Sequence, residues 1–131
     1  RKGSRILNIS SAASFQPLPY INLYAASKAF ERVYSRALNI ELKGTGITST
    51  AVCPSWVDTD LLTKEHNGEK IKFPGLVSPS RVAIAALRDA KRGKDMSVCT
   101  LYVKCMHAMT KLSPQKMTMN TWVRSVKKYI A

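Results

Sequence analysis

Tyr24-Ala25-Ala26-Ser27-Lys28 opens a long amphipathic run, and the two stretches flanking it decide the fold. Upstream stands Arg5-Ile6-Leu7-Asn8-Ile9-Ser10-Ser11, a short apolar run suited to a buried parallel strand. Downstream stands Gly46-Ile47-Thr48-Ser49-Thr50-Ala51-Val52-Cys53, a second β-branched run that Pro54 closes and a turn-like loop through Thr59 follows. Strand, helix and strand in this order read as α/β.

Within the helix, residues four apart share a face, so Tyr24 and Lys28 lie one turn apart. A phenol titrates near pH ~10 in isolation, too high for efficient proton transfer at neutral pH. A fixed positive charge nearby favours the phenolate. A serine hydroxyl arriving from the end of the first strand, Ser11, could hold a substrate oxygen beside the phenol. Those three residues form a candidate proton-transfer site. Tyr-x-x-x-Lys alone is a weak signal, since a helix-surface tyrosine and a solvated lysine produce the same spacing; the surrounding strands give it weight.

Taken together, the order strand, Asn8-Ile9-Ser10-Ser11, loop, Tyr24-x-Ala26-Ser27-Lys28, helix, strand and Pro54-x-x-Val57-x-Thr59 resembles the short-chain dehydrogenase/reductase family. Ser11 precedes Tyr24 by 13 positions, the family's usual spacing between its catalytic serine and tyrosine. The resemblance covers residues 1 to about 60 closely and continues more loosely to about 100. It implies the C-terminal half of a doubly wound, parallel-sheet, Rossmann-like domain. It also implies hydride transfer between NAD or NADP and a carbonyl or secondary alcohol. Ser11, Tyr24 and Lys28 take the catalytic roles, and Tyr24, Lys28, Pro54, Val57 and Thr59 meet the cofactor. Thr59 could instead cap a short helix through Leu62. One departure is visible: the family usually has Pro-Gly after the second strand, and Pro54-Ser55 here obliges Ser55 to accept a glycine-like backbone.

No Gly-rich strand-to-helix turn of the kind that cradles a pyrophosphate is present. Gly44 and Gly46 lie between a helix and a strand, the wrong order for that task. By the resemblance, that turn and the family's Asn-Asn-Ala-Gly stretch belong upstream of Arg1. The expectation is therefore a fragment, inactive alone, of a single domain: residues 1–100 its C-terminal part and 101–131 an amphipathic helical tail.

Between the first strand and Tyr24, the loop from Ala12 to Leu23 carries Pro17 and Pro19. Its Leu18, Tyr20 and Ile21 could line an apolar substrate pocket or pack under their own chain. A helix is predicted over 24–43, with Gly44 as its cap and Ala26, Phe30, Val33, Ala37 and Ile40 on one apolar face. In the resembled family this helix often joins a dimer-forming bundle, so Phe30, Tyr34 and Leu38 are candidates for a homo-oligomer interface as well as for core packing. Residues 61–77 correspond to the family's variable substrate lid. Ser78-Pro79 starts a helix with an apolar face of Val82, Ala83, Ala86, Leu87 and Ala90. A last strand is predicted over Met96 to Cys99. Then come two helical stripes: Tyr102, Cys105, Met106 and Met109, and beyond Pro114 Met119, Trp122, Val123, Val126 and Tyr129. The second is interleaved with Arg124, Lys127 and Lys128. This tail resembles the branch that includes very-long-chain 3-oxoacyl-CoA reductases, close to the hydroxysteroid dehydrogenases. A basic amphipathic helix can lie on an anionic membrane surface or pack on its own protein.

Composition bounds the rest. The 131 residues suffice for one domain, and 45% hydrophobic content supports a packed core. The net charge is +13, from 21 Lys and Arg against 8 Asp and Glu. That balance suits phosphorylated ligands or acidic surfaces, or it reflects a basic half of a longer protein. No nucleic-acid-binding motif accompanies it. Cys53, Cys99 and Cys105 have neither zinc-site nor redox-pair spacing, which suggests packed thiols in a reducing, cytoplasmic setting. His66 and His107 have no metal partners at useful spacing, so no metal site is expected. The competing function class is a non-catalytic protein that retains the fold and docks on an acidic or membrane surface through its basic tail.

Overall fold

The computed structural model of the chain describes residues 1–66 and 68–130. Strand β1 (Arg5–Ile9) pairs in parallel with β2 (Thr48–Val52), in register from Arg5 opposite Thr48 to Ile9 opposite Val52. Helix α1 (Asn22–Glu41) makes the crossover between them. On its other side β2 pairs in parallel with the last strand of this sheet, Met96–Ser97, so β2 is central. This is the expected α/β arrangement.

Strand alternation assigns the helices to faces. Ser49 points toward α1, where its hydroxyl meets that of Ser35 at 3.0 Å. Thr48 and Thr50 point the other way: their hydroxyls donate to the carbonyls of Ala90 and Lys94, at the end of helix α2 (Pro79–Lys91) and just beyond it. Both faces of β2 are thereby covered, and four of its five residues are fully buried. A cluster of Ala12, Ala51, Cys53, Val98 and Val103 forms the core, with Phe15, Met96 and Met106 against it. Burying a valine side chain such as Val103 contributes roughly 1.5–3 kcal/mol.

Helix α1 inverts the packing that its apolar periodicity suggests. Ala26, Phe30, Val33, Ala37 and Ile40 do share a face, and that face is exposed. The side toward the sheet carries Ala25, Ser35, Arg36 and Asn39. Small and polar residues are wanted there because the α1–β2 seam is hydrogen-bonded. Asn39 accepts from the backbone of Ser49 at 3.0 Å, and Asn8 donates to the Ser49 hydroxyl at 3.3 Å. The helix begins at Asn22, two residues before Tyr24, and the chain leaves it through Gly44 at φ +84°.

Helix α2 starts as predicted, with the Ser78 hydroxyl accepting from the Arg81 amide and Pro79 in the first turn. It buries Ala85, Ala86, Asp89 and Ala90, while Ala83 and Leu87, expected inside, are exposed. Buried Asp89 accepts from the Ser97 hydroxyl at 2.8 Å and the Lys94 ammonium at 3.0 Å, tying α2 to strand β5 (Met96–Ser97). Burial alone would raise this carboxyl; the bonds from Lys94 and Ser97 and the charges of Lys94 and Arg88 outweigh it and hold Asp89 below its ordinary value.

Residues 61–77, the stretch matched to the family's variable lid, contain the antiparallel pair β3 (Glu65–His66) and β4 (Glu69–Lys70). Helix α3 (Leu101–Leu112) is capped by Thr100 and buries Val103, with Met106 and His107 half-buried. The expected stripe is therefore displaced, since Tyr102, Cys105 and Met109 are exposed. Gly75, at φ +72°, sits so close to the Tyr102 ring that a Cβ there would lie 2.7 Å from it. Helix α4 (Gln115–Ile130) keeps the predicted stripe half-buried at Met119, Trp122, Val123 and Val126. The side chains of His66, Lys128 and Tyr129 lie outside those described. No helix of the described residues is long and apolar enough to cross a membrane.

Candidate active site

Every residue proposed from the sequence for catalysis or cofactor contact lies at the carboxyl edge of the sheet or on the helix that begins there. Open α/β sheets bind ligands at this edge. Ser10 and Ser11 follow β1, and Pro54 to Thr59 follow β2. The two loops are joined, because the Ala12 amide donates to the Pro54 carbonyl at 2.7 Å.

Lys28 is held from two sides. Its ammonium donates to the Ile9 carbonyl at 2.9 Å and to Glu31 at 2.9 Å, and lies 6.0 Å from the centroid of the Tyr24 ring. In return, buried Ser10 donates its hydroxyl to the Lys28 carbonyl at 2.7 Å. The strand end and the helix turn are thus bonded in both directions. Tyr24 is 48% exposed, so its phenol is open to a ligand. Ser11 caps the short 3-10 helix Ala12–Phe15, its Oγ accepting from the Ala13 amide at 3.1 Å. Its own O–H is a separate donor.

Val57 and Thr59 engage a different neighbour. The Thr59 hydroxyl reaches the Val57 carbonyl at 3.5 Å, a weak bond, and Val57 forms a parallel bridge with Val77. The Asp58 amide donates to the Val77 carbonyl and the Val77 amide to that of Trp56. Residues 60–62 form a turn rather than a helix, so Thr59 caps none. Ser55 does not take the glycine-like backbone either. Among the described residues Tyr20 is the one non-glycine with positive φ, at +73°. A depression of about 390 Å³ lies by the β3–β4 pair, lined by Asp58, Leu62, Lys64, Phe73 and Leu76 among others. Ser11, Tyr24 and Lys28 do not line it.

Of the loop residues proposed as a pocket lining, Leu18 is buried in the fold, whereas Tyr20 and Ile21 are exposed. Beneath the loop, Phe15 stacks on His107 of α3 with ring centroids 4.0 Å apart, and the Arg32 guanidinium lies 5.7 Å from the Phe15 ring. Burial pushes His107 below its ordinary value, and the charges of Lys111, Arg32 and Arg36 add to this. Its ring packs against Phe15 at the core. Burial likewise pushes the Cys53 thiol up, against smaller opposing effects of Ser10, Ser14, Arg32 and Arg36, which suits packing and not nucleophilic chemistry. Among the described residues no group of three His, Cys, Asp or Glu converges as a metal site.

Two contacts escaped the sequence reading. Glu31 on Lys28 was visible in principle as an i, i+3 pair. The bond from the Trp122 indole to the Pro19 carbonyl, 2.9 Å long, joins residues 103 positions apart, for which a single sequence carries no signal.

Comparison with known proteins agrees with the fold. The chain is 31% identical over 112 residues to the ketoacyl reductase HetN of Nostoc sp., covering 86% of this chain and 39% of that protein. It is 50% identical over 75 residues to the very-long-chain 3-oxoacyl-CoA reductase of Anas platyrhynchos, covering 57% of this chain and 22% of that one. It therefore spans well under half the length of these relatives. A short-chain dehydrogenase from Sphingobium yanoikuyae in complex with NADPH superposes with a TM-score of 0.62 at 27% identity, over 86% of this chain and 44% of that one. The profile of the short chain dehydrogenases matches residues 1–70, more than half of the sequence, and the chain belongs to that family.

Proposed function

We propose that this chain carries the proton-transfer and nicotinamide-facing part of an NAD(P)-dependent oxidoreductase acting on a carbonyl or secondary alcohol. The observation that carries the reading is the fixed ammonium of Lys28. It is bonded to the Ile9 carbonyl beside Ser10-Ser11 and stands one helical turn from an accessible Tyr24 phenol.

A nicotinamide supplies or takes the hydride when bound. In reduction Tyr24 gives its proton to the developing alkoxide, and in oxidation it takes one back. Lys28 places its ammonium one helical turn from that phenol, and Ser11 donates its hydroxyl to the substrate oxygen as charge grows there. Two of the three ammonium protons of Lys28 are engaged in the structure, leaving one for a ribose hydroxyl. The Pro54–Thr59 backbone at the carboxyl edge suits the carboxamide end. Nothing in the chain suits a pyrophosphate, so tight dinucleotide binding needs a further segment and the chain alone is inactive. The outer edge of β1, unpaired among the described residues, supports that need. The relatives' names favour 3-oxoacyl thioesters as substrates.

The exposed stripe of α1, in which Phe30 and Tyr34 stack at 6.1 Å, suits a second copy of the protein, with half-buried Leu38 at its margin. The half-buried apolar stripe of α4 favours packing on its own chain over docking on a membrane.

The test is Tyr24→Phe in the full-length protein. Turnover should fall by roughly 10²–10⁴-fold with nicotinamide-cofactor binding nearly unchanged. Unaltered turnover would remove Tyr24 from its role. A wild type that neither binds NADH or NADPH nor turns over a ketone would favour the non-catalytic alternative.

A further inference from the structure

Residues Leu18 to Ile21 form a tight turn: the Ile21 amide donates to the Leu18 carbonyl at 3.3 Å. Pro19 holds the second position and Tyr20 the third, at φ +73°. That is the pattern of a type II turn, whose third position favours glycine because a side chain there is strained. Types I and II differ by a flip of the central peptide, here the bond from Pro19 to Tyr20, and the flip reverses the direction of the Pro19 carbonyl. The Trp122 indole on α4 donates to this same carbonyl at 2.9 Å. Neither Pro17 nor Pro19 has an amide proton, so this span has few bonds of its own to fix it. Buried Leu18 anchors one end, and the Ala25 amide, bonded to the Ile21 carbonyl at 3.0 Å, anchors the other.

We propose that Trp122 is a positioning residue: its indole N–H selects the flipped peptide at Pro19–Tyr20, and so fixes where the exposed Tyr20 side chain stands in the loop between Ser11 and Tyr24. The C-terminal helix thereby sets selectivity for the apolar part of the substrate without touching the reacting atoms. The kinetic half of this rests on the oxidoreductase reading above; the conformational half does not.

Two measurements test it. The first is amide hydrogen exchange at Tyr20 and Ile21, compared between wild type and Trp122→Phe, which keeps an aromatic ring and removes the donor. One hydrogen bond of typical strength makes the expected acceleration about fivefold. In a Tyr20→Gly background, where glycine holds positive φ without help, the same change should accelerate exchange by less than about twofold. No acceleration, or equal acceleration in both backgrounds, would overturn the proposal. The second is steady-state reduction of acetone and of a ten-carbon methyl ketone by the full-length protein with NADPH. Trp122→Phe should raise KM for the long ketone about fivefold, leaving its kcat and the acetone constants within about twofold. Equal losses on both ketones mean a merely structural helix and refute the selectivity role. A wild type without activity on either ketone sinks the oxidoreductase reading and with it that role, while exchange still decides the turn.

Discussion

Ile9 and Val52 are directly paired across β1 and β2, yet Ile9 is 58% exposed and Val52 only 2%. The difference lies in their neighbours. β2 has a strand on each side and a helix on each face. β1 has one strand partner among the described residues, and its other edge is bare. The exposed apolar stripe of α1 continues this open side. At β2 and its seam with α2 the chain is closed, while toward β1 and the outer face of α1 it presents apolar surface suited to another element.

The largest effect should come from placing the same charge on both sides of this pair. Val52→Asp buries a carboxylate without a partner, and should cost more than about 4 kcal/mol or abolish folding. Ile9→Asp should stay within about 1 kcal/mol, read from urea unfolding followed by circular dichroism. Equal losses would erase the distinction between a closed and an open side.

An intermediate effect is expected at Asp89, on the closed side. Replacing it by Asn should cost about 2 kcal/mol, the scale of hydrogen bonds to a charged group. The folded carboxyl lies below its ordinary value, so its contribution is complete above the unfolded value, near pH ~3.9, and is lost as pH falls through the folded one. Urea midpoints measured from pH 6 down to pH 2 should fall less steeply in Asp89→Asn than in wild type. Parallel curves would show that the acid sensitivity arises elsewhere.

The smallest change in stability is expected on the open side. Phe30→Glu should leave the unfolding midpoint within about 0.5 kcal/mol of wild type. If α1 meets a second copy, sedimentation velocity over a concentration series should show self-association in wild type and its loss in the variant. Unchanged association would assign the interface to another surface.

How far the sequence could be read follows the range of each interaction. Short-range patterns were legible: both long strands, the Ser78-Pro79 helix start, and Tyr24 with Lys28 on one turn. Periodicity also grouped Phe30, Val33 and Ile40 correctly, but a stripe does not say which side meets the sheet. That choice was made by Ser35, Asn39 and Ser49, whose hydrogen bonds join segments about ten or more positions apart. The displaced stripe of α3 has a similar cause, because Val103 and His107 are selected by the core and by Phe15. Ser55 was read through the family's glycine, but its backbone is ordinary, and the segment that follows bridges to Val77. Tyr20 in a glycine-preferring position is illegible until Trp122 is seen beside it.

The reciprocal bonds between Ser10 and Lys28 have a consequence for how this molecule can diverge. They weld the strand tip to the helix directly, beside a loop whose Ala12, Ser14 and Leu18 are buried and whose Tyr20 and Ile21 are exposed. Changes at the exposed Tyr20 and Ile21 can therefore alter the outer surface of the loop, while the spacing of tyrosine and ammonium from the strand tip stays put. On the proposed reading, ligand preference and proton transfer rest on different residues, free to change on different schedules.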